Sequence, residues 1–198
     1  MRGMSKNAKN TDEQGKVHAQ LKQETEQAAA VPQKAHGRLK EPAAPPASSA
    51  AVRKSMQGNK ATDTKPELKL RKMLRDMGQV GYRLQWKKCP GRPDVAFPGR
   101  RIAIYVNGCF WHRCPKCNLP EPKSNVEYWH TKFANNVARD RRNLEAAREQ
   151  GWKTVVVWEC ELKKKQVCYT QDRLYREVAG PKAPDAALAR IKKRRRHR

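Results

Sequence analysis

The sequence predicts an α/β domain with at least one parallel pair of strands, and three segments carry that expectation. A short run rich in β-branched and aromatic residues, Arg101 to Val106, precedes a long helical stretch from Ser124 to Gln150, and the apolar run Thr154-Val155-Val156-Val157-Trp158 follows. Strand, long helix and strand in that order make a right-handed crossover, which sets the two strands parallel. A continuous apolar run suits a sheet covered on both faces, so Thr154 to Trp158 is expected to be fully buried.

The elements follow in order. Residues 1–52 mix Gln, Lys, Glu and Ala and pass into a Pro/Ala/Ser stretch from Glu41 to Ala51 with no periodicity and no aromatic residue, so they are expected to form a disordered extension. The folded domain is expected over residues 53–180, and a disordered basic tail over 181–198. Thr64-Lys65-Pro66-Glu67 is a capping-box sequence with proline in the first turn; Leu70, Met73, Leu74 and Met77 follow at helical spacing and Gly78 is a stop signal. This is the first expected helix. Tyr82 to Trp86 and Asp94 to Phe97 read as short strands, Pro98-Gly99-Arg100 as a turn, and Arg101 to Val106 as a third strand. A loop from Asn107 to Lys123 carries three cysteines and three prolines. A second capping-box sequence, Ser124-Asn125-Val126-Glu127, opens the long helix, and Gly151 closes it. There is no internal repeat.

Charge narrows the function. The chain has 198 residues, with 44 Lys and Arg against 19 Asp and Glu, a net charge of +25 and a pI near 10.3. Residues 1–50 hold 8 basic and 5 acidic side chains, residues 51–180 hold 28 and 13, and residues 181–198 hold 8 and 1, so the excess is not confined to the Lys192–Arg196 run. That run is either a solvated tail or a phosphate-tracking arm. A charge this large points to nucleic acid as partner. Mean hydropathy is −1.00, and no apolar run approaches the ~18 residues of a membrane span. The polar beginning, Met1 to Gln20, lacks a signal-peptide hydrophobic region. The cysteines are therefore expected to work in a reducing, cytoplasmic setting, where clustered thiols usually mean metal.

Cys109, Cys114 and Cys117 stand in the pattern C-x4-C-x2-C, and Cys160 follows the last strand. Four such thiolates suit a tetrahedral structural zinc with no open position. Cys168 competes with Cys160 for the fourth place, and His112, three positions from Cys109, is an alternative ligand. Cys89 and Cys168 are otherwise expected to be ordinary buried thiols. The tethered loop presents Phe110, Trp111 and His112. Adjacent large rings there could wedge between base pairs, at a cost of about a few kcal/mol that is least at a mismatch; otherwise one ring packs on the domain and the other is exposed.

Six motifs in order carry a family resemblance: Arg53-Lys54-Ser55-Met56, Thr64-Lys65-Pro66-Glu67, Gly91-Arg92-Pro93-Asp94, Gly108-Cys109-Phe110-Trp111-His112, Asn136-Val137-Ala138-Arg139-Asp140-Arg141-Arg142 and Val157-Trp158-Glu159-Cys160. Over residues 53 to about 165 the sequence resembles the very-short-patch-repair (Vsr) DNA mismatch endonucleases. The resemblance implies a restriction-endonuclease-like mixed central sheet flanked by helices, with a structural zinc loop. It also implies nicking of one DNA strand beside a T:G mismatch left by 5-methylcytosine deamination. Asp94 and the main-chain carbonyl of Val106 would hold a catalytic magnesium, a hard ion suited to oxygen donors. His112 would be the general acid or base, Glu67 would orient the attacking water or simply cap its helix, and Met56 would intercalate beside Phe110 and Trp111. Asp140, on the stripe Phe133, Val137, Asp140, Leu144, is expected to point toward the sheet as a site residue would. Two departures stand out. The strand Ile104-Tyr105-Val106 supplies none of the Glu-x-Lys of restriction enzymes, as in the Vsr branch. Asn107 occupies a position where the family carries His or an acid, and Asn can hydrogen-bond water but not exchange a proton at neutral pH.

The resemblance implies double-stranded DNA as partner, a monomer associated with the nucleoid, and leaves contact with a mismatch-repair protein open. A zinc-stabilised nucleic-acid-binding module without catalysis is the alternative, although it has no use for carboxylates near a polyanion. A restriction-type nuclease without mismatch preference is a third reading, which leaves the aromatic wedge unexplained. The charge distribution predicts that log K for duplex DNA falls linearly and steeply with log salt. Deleting residues 181–198 should leave DNA cleavage unchanged, which a fluorescence-anisotropy titration and a nicking assay on the shortened chain would check together.

Overall fold

The structure is a computed structural model that describes residues 39–179 except residue 41. The expectations for residues 1–38 and 181–198 lie outside the described residues. The elements are α1 (Ala50–Gln57), α2 (Lys65–Asp76), β1 (Arg83–Leu84), β2 (Val95–Phe97), a 3-10 turn (Pro98–Arg100), β3 (Ile102–Asn107), α3 (Val126–Glu149), β4 (Lys153–Trp158), a second 3-10 turn (Glu159–Leu162) and α4 (Val167–Ala179). The sheet is mixed, in the order β1-β2-β3-β4. Its first two pairings are antiparallel and β3 pairs parallel with β4, from Ile102 opposite Lys153 to Asn107 opposite Trp158. The crossover through α3 that the sequence predicts is therefore present.

The sheet is a two-sided object. Ile102 and Ile104 of β3 face one way, into a core with Leu70 and Leu74 of α2, Val155 and Val157 of β4, and Leu174 and Val178 of α4. Ala103 and Tyr105 face the other way, with Ala96, Trp152 and Ala147 of α3. Small alanines on that second face let α3 lie close to the strands. Helix α2 starts as expected. The Thr64 hydroxyl oxygen accepts from the Glu67 N–H at 3.5 Å, and Glu67 accepts the Thr64 hydroxyl at 2.7 Å and N–H at 3.4 Å.

Four local expectations are corrected. The box at Ser124 does not form: α3 begins at Val126 after Asn125, which has φ +53° and makes no side-chain cap bond. Asparagine tolerates this left-handed turn out of the proline-rich loop. Strand β4 is not fully buried on both faces: Val155 and Val157 are buried, while Thr154, Val156 and Trp158 on the opposite face are half-buried. The strand expected over Tyr82–Trp86 shortens to Arg83–Leu84, since Gln85 turns into the left-handed region at φ +46°. Cys168 is exposed rather than buried, on the helix α4 that the sequence reading did not anticipate, whereas Cys89 is buried beside the Tyr105 hydroxyl at 3.6 Å.

Toward the N-terminus, α1 begins with Ser49 as its cap, accepting from the Val52 N–H at 3.2 Å. This helix crosses the boundary at residue 52 that composition suggests. Further upstream, Asn135 of α3 takes both backbone groups of Leu39: its Oδ1 accepts the N–H and its Nδ2 donates to the carbonyl, each at 2.9 Å.

Gly91, in the turn before β2, has φ +71°, and a Cβ there would lie 2.7 Å from Cβ of Asn143 on α3. Both the backbone and the neighbour exclude a side chain. Gly91→Ala should therefore destabilise the fold by roughly 1–3 kcal/mol, to be read as a lowered urea midpoint with an unchanged m-value.

Candidate active site and metal centre

An open cleft of about 1300 Å³ lies where α2 begins and β3 ends, and it brings Glu67, Asp94, Asn107, Trp111, His112 and Asp140 to one surface. Asp94 sits just before β2, across from the end of β3. Its Oδ2 accepts the Val106 N–H at 2.7 Å and its Oδ1 accepts from Nε2 of Gln85 at 2.9 Å. Burial raises its pKa above the ordinary carboxylate value and nearby Glu67 pushes the same way, while the hydrogen bonds from Val106 and Gln85 oppose them. Glu67 is itself occupied. Beyond its capping bonds it accepts from the Asp63 N–H and from Arg71, both at 3.1 Å, and its side chain is 6% exposed. In this arrangement it caps the helix beside Asp94 rather than presenting a free oxygen.

Helix α3 holds the other half of the site. Asp140 bonds Nδ1 of His112, and Asn136, one turn earlier, donates to the Trp111 carbonyl at 3.0 Å. Two successive turns of one helix thus fix both the ring and the backbone of the same loop. The stripe expected on α3 is incomplete, because Val137 is exposed while Phe133 is buried. Asn107 lines the cleft as the last residue of β3.

The aromatic loop does not stand free. Phe110 is half-buried and meets Trp111, Trp129 and Phe133 edge-on at ring separations of 5.2, 5.7 and 5.1 Å. Trp111, 37% exposed, and Met56, 47% exposed, are the apolar groups of the expected wedge that offer open surface. Trp129 escaped the sequence reading, although its i, i+4 spacing from Phe133 was a usable signal.

The Sγ atoms of Cys109, Cys114, Cys117 and Cys160 lie within 4.8 Å of one another. This set can hold a metal ion, and four sulfur donors fit a thiophilic tetrahedral one. His112 is engaged by Asp140 and Cys168 lies on α4, so neither belongs to the cluster. The surroundings support it: the Cys160 N–H points at Cys109 Sγ at 3.3 Å, and Glu159 accepts the Cys109 N–H at 3.4 Å. Glu161, buried, accepts from Lys116 of the Cys114–Cys117 knuckle at 2.7 Å, from the Trp158 N–H at 2.9 Å and from Arg173 of α4 at 3.0 Å. Nothing in its sequence context announced that role.

A family model described as "DNA mismatch endonuclease Vsr" matches residues 48–119. The DNA mismatch endonuclease Vsr of Escherichia coli is 36% identical over 110 residues, 56% of this chain and 70% of the relative. The chain belongs to the Vsr family. Among its other Vsr-like relatives, the type II nicking enzyme V.XorIIP of Xanthomonas oryzae pv. oryzae is 43% identical over 108 residues, 54% of this chain and 78% of the relative. V.NmeAIP of Neisseria meningitidis, also a type II nicking enzyme, is 40% identical over 119 residues, 59% and 83%. Among the described residues no helix is long and apolar enough to cross a membrane.

A raised carboxylate pKa has a defined consequence for stability. Asp94 costs nothing at low pH, where it is protonated folded and unfolded alike, and costs most once pH passes its folded value. Asp94→Asn should therefore stabilise the metal-free protein at pH 7, by about 1 kcal/mol as is common where a site residue is relieved. The gain should vanish near pH 3, a comparison that urea titrations at the two pH values would make.

Proposed function

We propose that this Vsr-family protein is a metal-dependent endonuclease that nicks one strand of duplex DNA beside a T:G mismatch, the lesion left by deamination of 5-methylcytosine. The observation that carries the reading is the meeting of Asp94 with the His112–Asp140 pair in one cleft of a basic domain. A pure binding module gains nothing from carboxylates facing phosphate, since each repels the partner unless a cation intervenes.

The donor set fits magnesium. Asp94 offers a hard carboxylate, its Oδ2 accepting from the Val106 N–H and its Oδ1 from Gln85, and Val106 offers main-chain oxygen on the adjoining strand. Bound there, the ion would polarise the scissile phosphate and ease deprotonation of the attacking water. The protein's own groups do the rest. Asp140 fixes the His112 ring through Nδ1, which leaves Nε2 as the atom that takes or gives the proton. Asn107 hydrogen-bonds water without exchanging its proton. Glu67 shapes the start of α2 and the field at Asp94, and turning one oxygen toward the attacking water requires it to loosen its capping bonds. Trp111 and Met56 supply the exposed apolar surface for intercalation, with Phe110 behind Trp111. Zinc is the ion assigned to Cys109, Cys114, Cys117 and Cys160, where it would hold the loop in shape. The protein is expected to act as a monomer in the cytoplasm, on the nucleoid, with mismatch-repair proteins as candidate partners.

A labelled duplex with one T:G pair, compared with its T:A counterpart in magnesium, tests this directly. Wild type should nick one strand of the T:G duplex and leave the T:A duplex intact, and Asp94→Ala or His112→Ala should lower the rate by about 100-fold or more. Equal cutting of both duplexes would remove the mismatch specificity; retardation without nicking would leave a binding module. Metal analysis of the purified protein should find about one zinc per chain.

A further inference from the structure

We propose that Gln85 is a positioning residue for Asp94: its side-chain amide, carried on a backbone better suited to glycine, holds the carboxylate in the orientation that metal capture requires. The inference rests on Asp94 being the metal ligand. The segment Tyr82 to Trp86 has strand-forming residues, yet the strand stops at Leu84 because Gln85 takes φ +46°. Arg92, Arg101 and Arg113 take similar positive φ, so the backbone alone does not single out Gln85; what does is the bond its side chain makes to Asp94.

The geometry supplies the use. Nε2 of Gln85 donates to Asp94 Oδ1 at 2.9 Å while the Val106 N–H donates to Oδ2 at 2.7 Å. With one donor a carboxylate can swing about its Cβ–Cγ bond; with a donor on each oxygen it cannot. The amide nitrogen must face Asp94, because the amide oxygen there would repel it. Residue chemistry at position 85 is narrowly set. Lysine would neutralise Asp94 and compete with a cation, glutamate could not donate, and a neutral amide donates without adding charge. Gln85 and Asp94 both line the cleft, so the pair sits where metal and phosphate would enter.

The test uses the full chain with its thiol site loaded, and compares wild type, Gln85→Gly, Gln85→Met and Asp94→Ala. Glycine suits the backbone and removes the amide, whereas methionine keeps the bulk and removes the donor. Manganese binding without DNA, read by electron paramagnetic resonance, should weaken about tenfold in both Gln85 variants, the scale of losing a hydrogen bond that orients a metal ligand. The half-saturating magnesium for nicking should rise by the same factor while the rate at saturating magnesium largely recovers, and the urea midpoint of Gln85→Gly should be no lower than that of wild type. A purely structural turn residue would not move the metal dependence. Wild-type manganese affinity in Gln85→Gly would overturn the proposal, provided Asp94→Ala loses binding. If Asp94→Ala also binds manganese normally, the assignment of Asp94 has failed and the proposal goes with it.

Discussion

The parallel pairing of β3 with β4 is the constraint on which the site depends. The two strands run out together, Asn107 opposite Trp158, so the loops that leave them start side by side. Cys109 and Cys160 are thereby neighbours although fifty-one positions separate them in sequence, and the Cys160 N–H reaches Cys109 Sγ. The C-x2-C knuckle joins this pair, and the four-cysteine set closes around a backbone arrangement that the sheet has already built. Phe110, Trp111 and His112 then have defined places because both ends of their short segment are held. A long connection between parallel strands is needed in any case. Here that connection is α3, and it also delivers Asn136 and Asp140 to the same loop.

The basic field and the acidic site are two parts of one design. An excess of lysine and arginine draws a polyanion near but does nothing to break it. Inside the field, Asp94 is half-buried and pressed toward its neutral form by burial and by Glu67. Under the proposed function, a cation bound by Asp94 would offset the cost of its ionised form. Glu67 is kept quiet by Arg71 and by its own helix cap, so the cleft carries less uncompensated negative charge than its carboxylates suggest.

Much of this was legible in the sequence where the signal is local. Capping at Thr64, the crossover and the four cysteines all depend on residues whose chemistry restricts their use, and the structure places them as expected. What local pattern could not supply was the tertiary answer to a local option. Ser124 offered a cap, but the chain turned through Asn125 instead. The apolar run of β4 suggests two covered faces, and only tertiary packing decides otherwise, burying Val155 and Val157 and leaving Thr154, Val156 and Trp158 half-buried. Gln85, Asn136 and Glu161 are ordinary polar residues in sequence. Each gains its meaning from a partner 9, 25 or 45 positions away, Asp94, Trp111 and Lys116 respectively. Helix α4 carries no recognisable motif, although Thr170, Leu174, Tyr175 and Val178 keep a buried helical face.

The double hydrogen bond between Asn135 and Leu39 redraws the edge of the molecule. A side chain that completes both backbone groups of one distant residue acts as a single rung of sheet without a strand. It sits on α3 immediately before Asn136 and little more than one turn before Asp140, so a segment that composition reads as a tail is fastened to the helix that holds the His112 ring. Trimming the protein at its compositional boundary would remove the Leu39 backbone groups that this buried amide bonds. Low complexity in a stretch of chain therefore does not stop its backbone from being held by the helix beside the cleft.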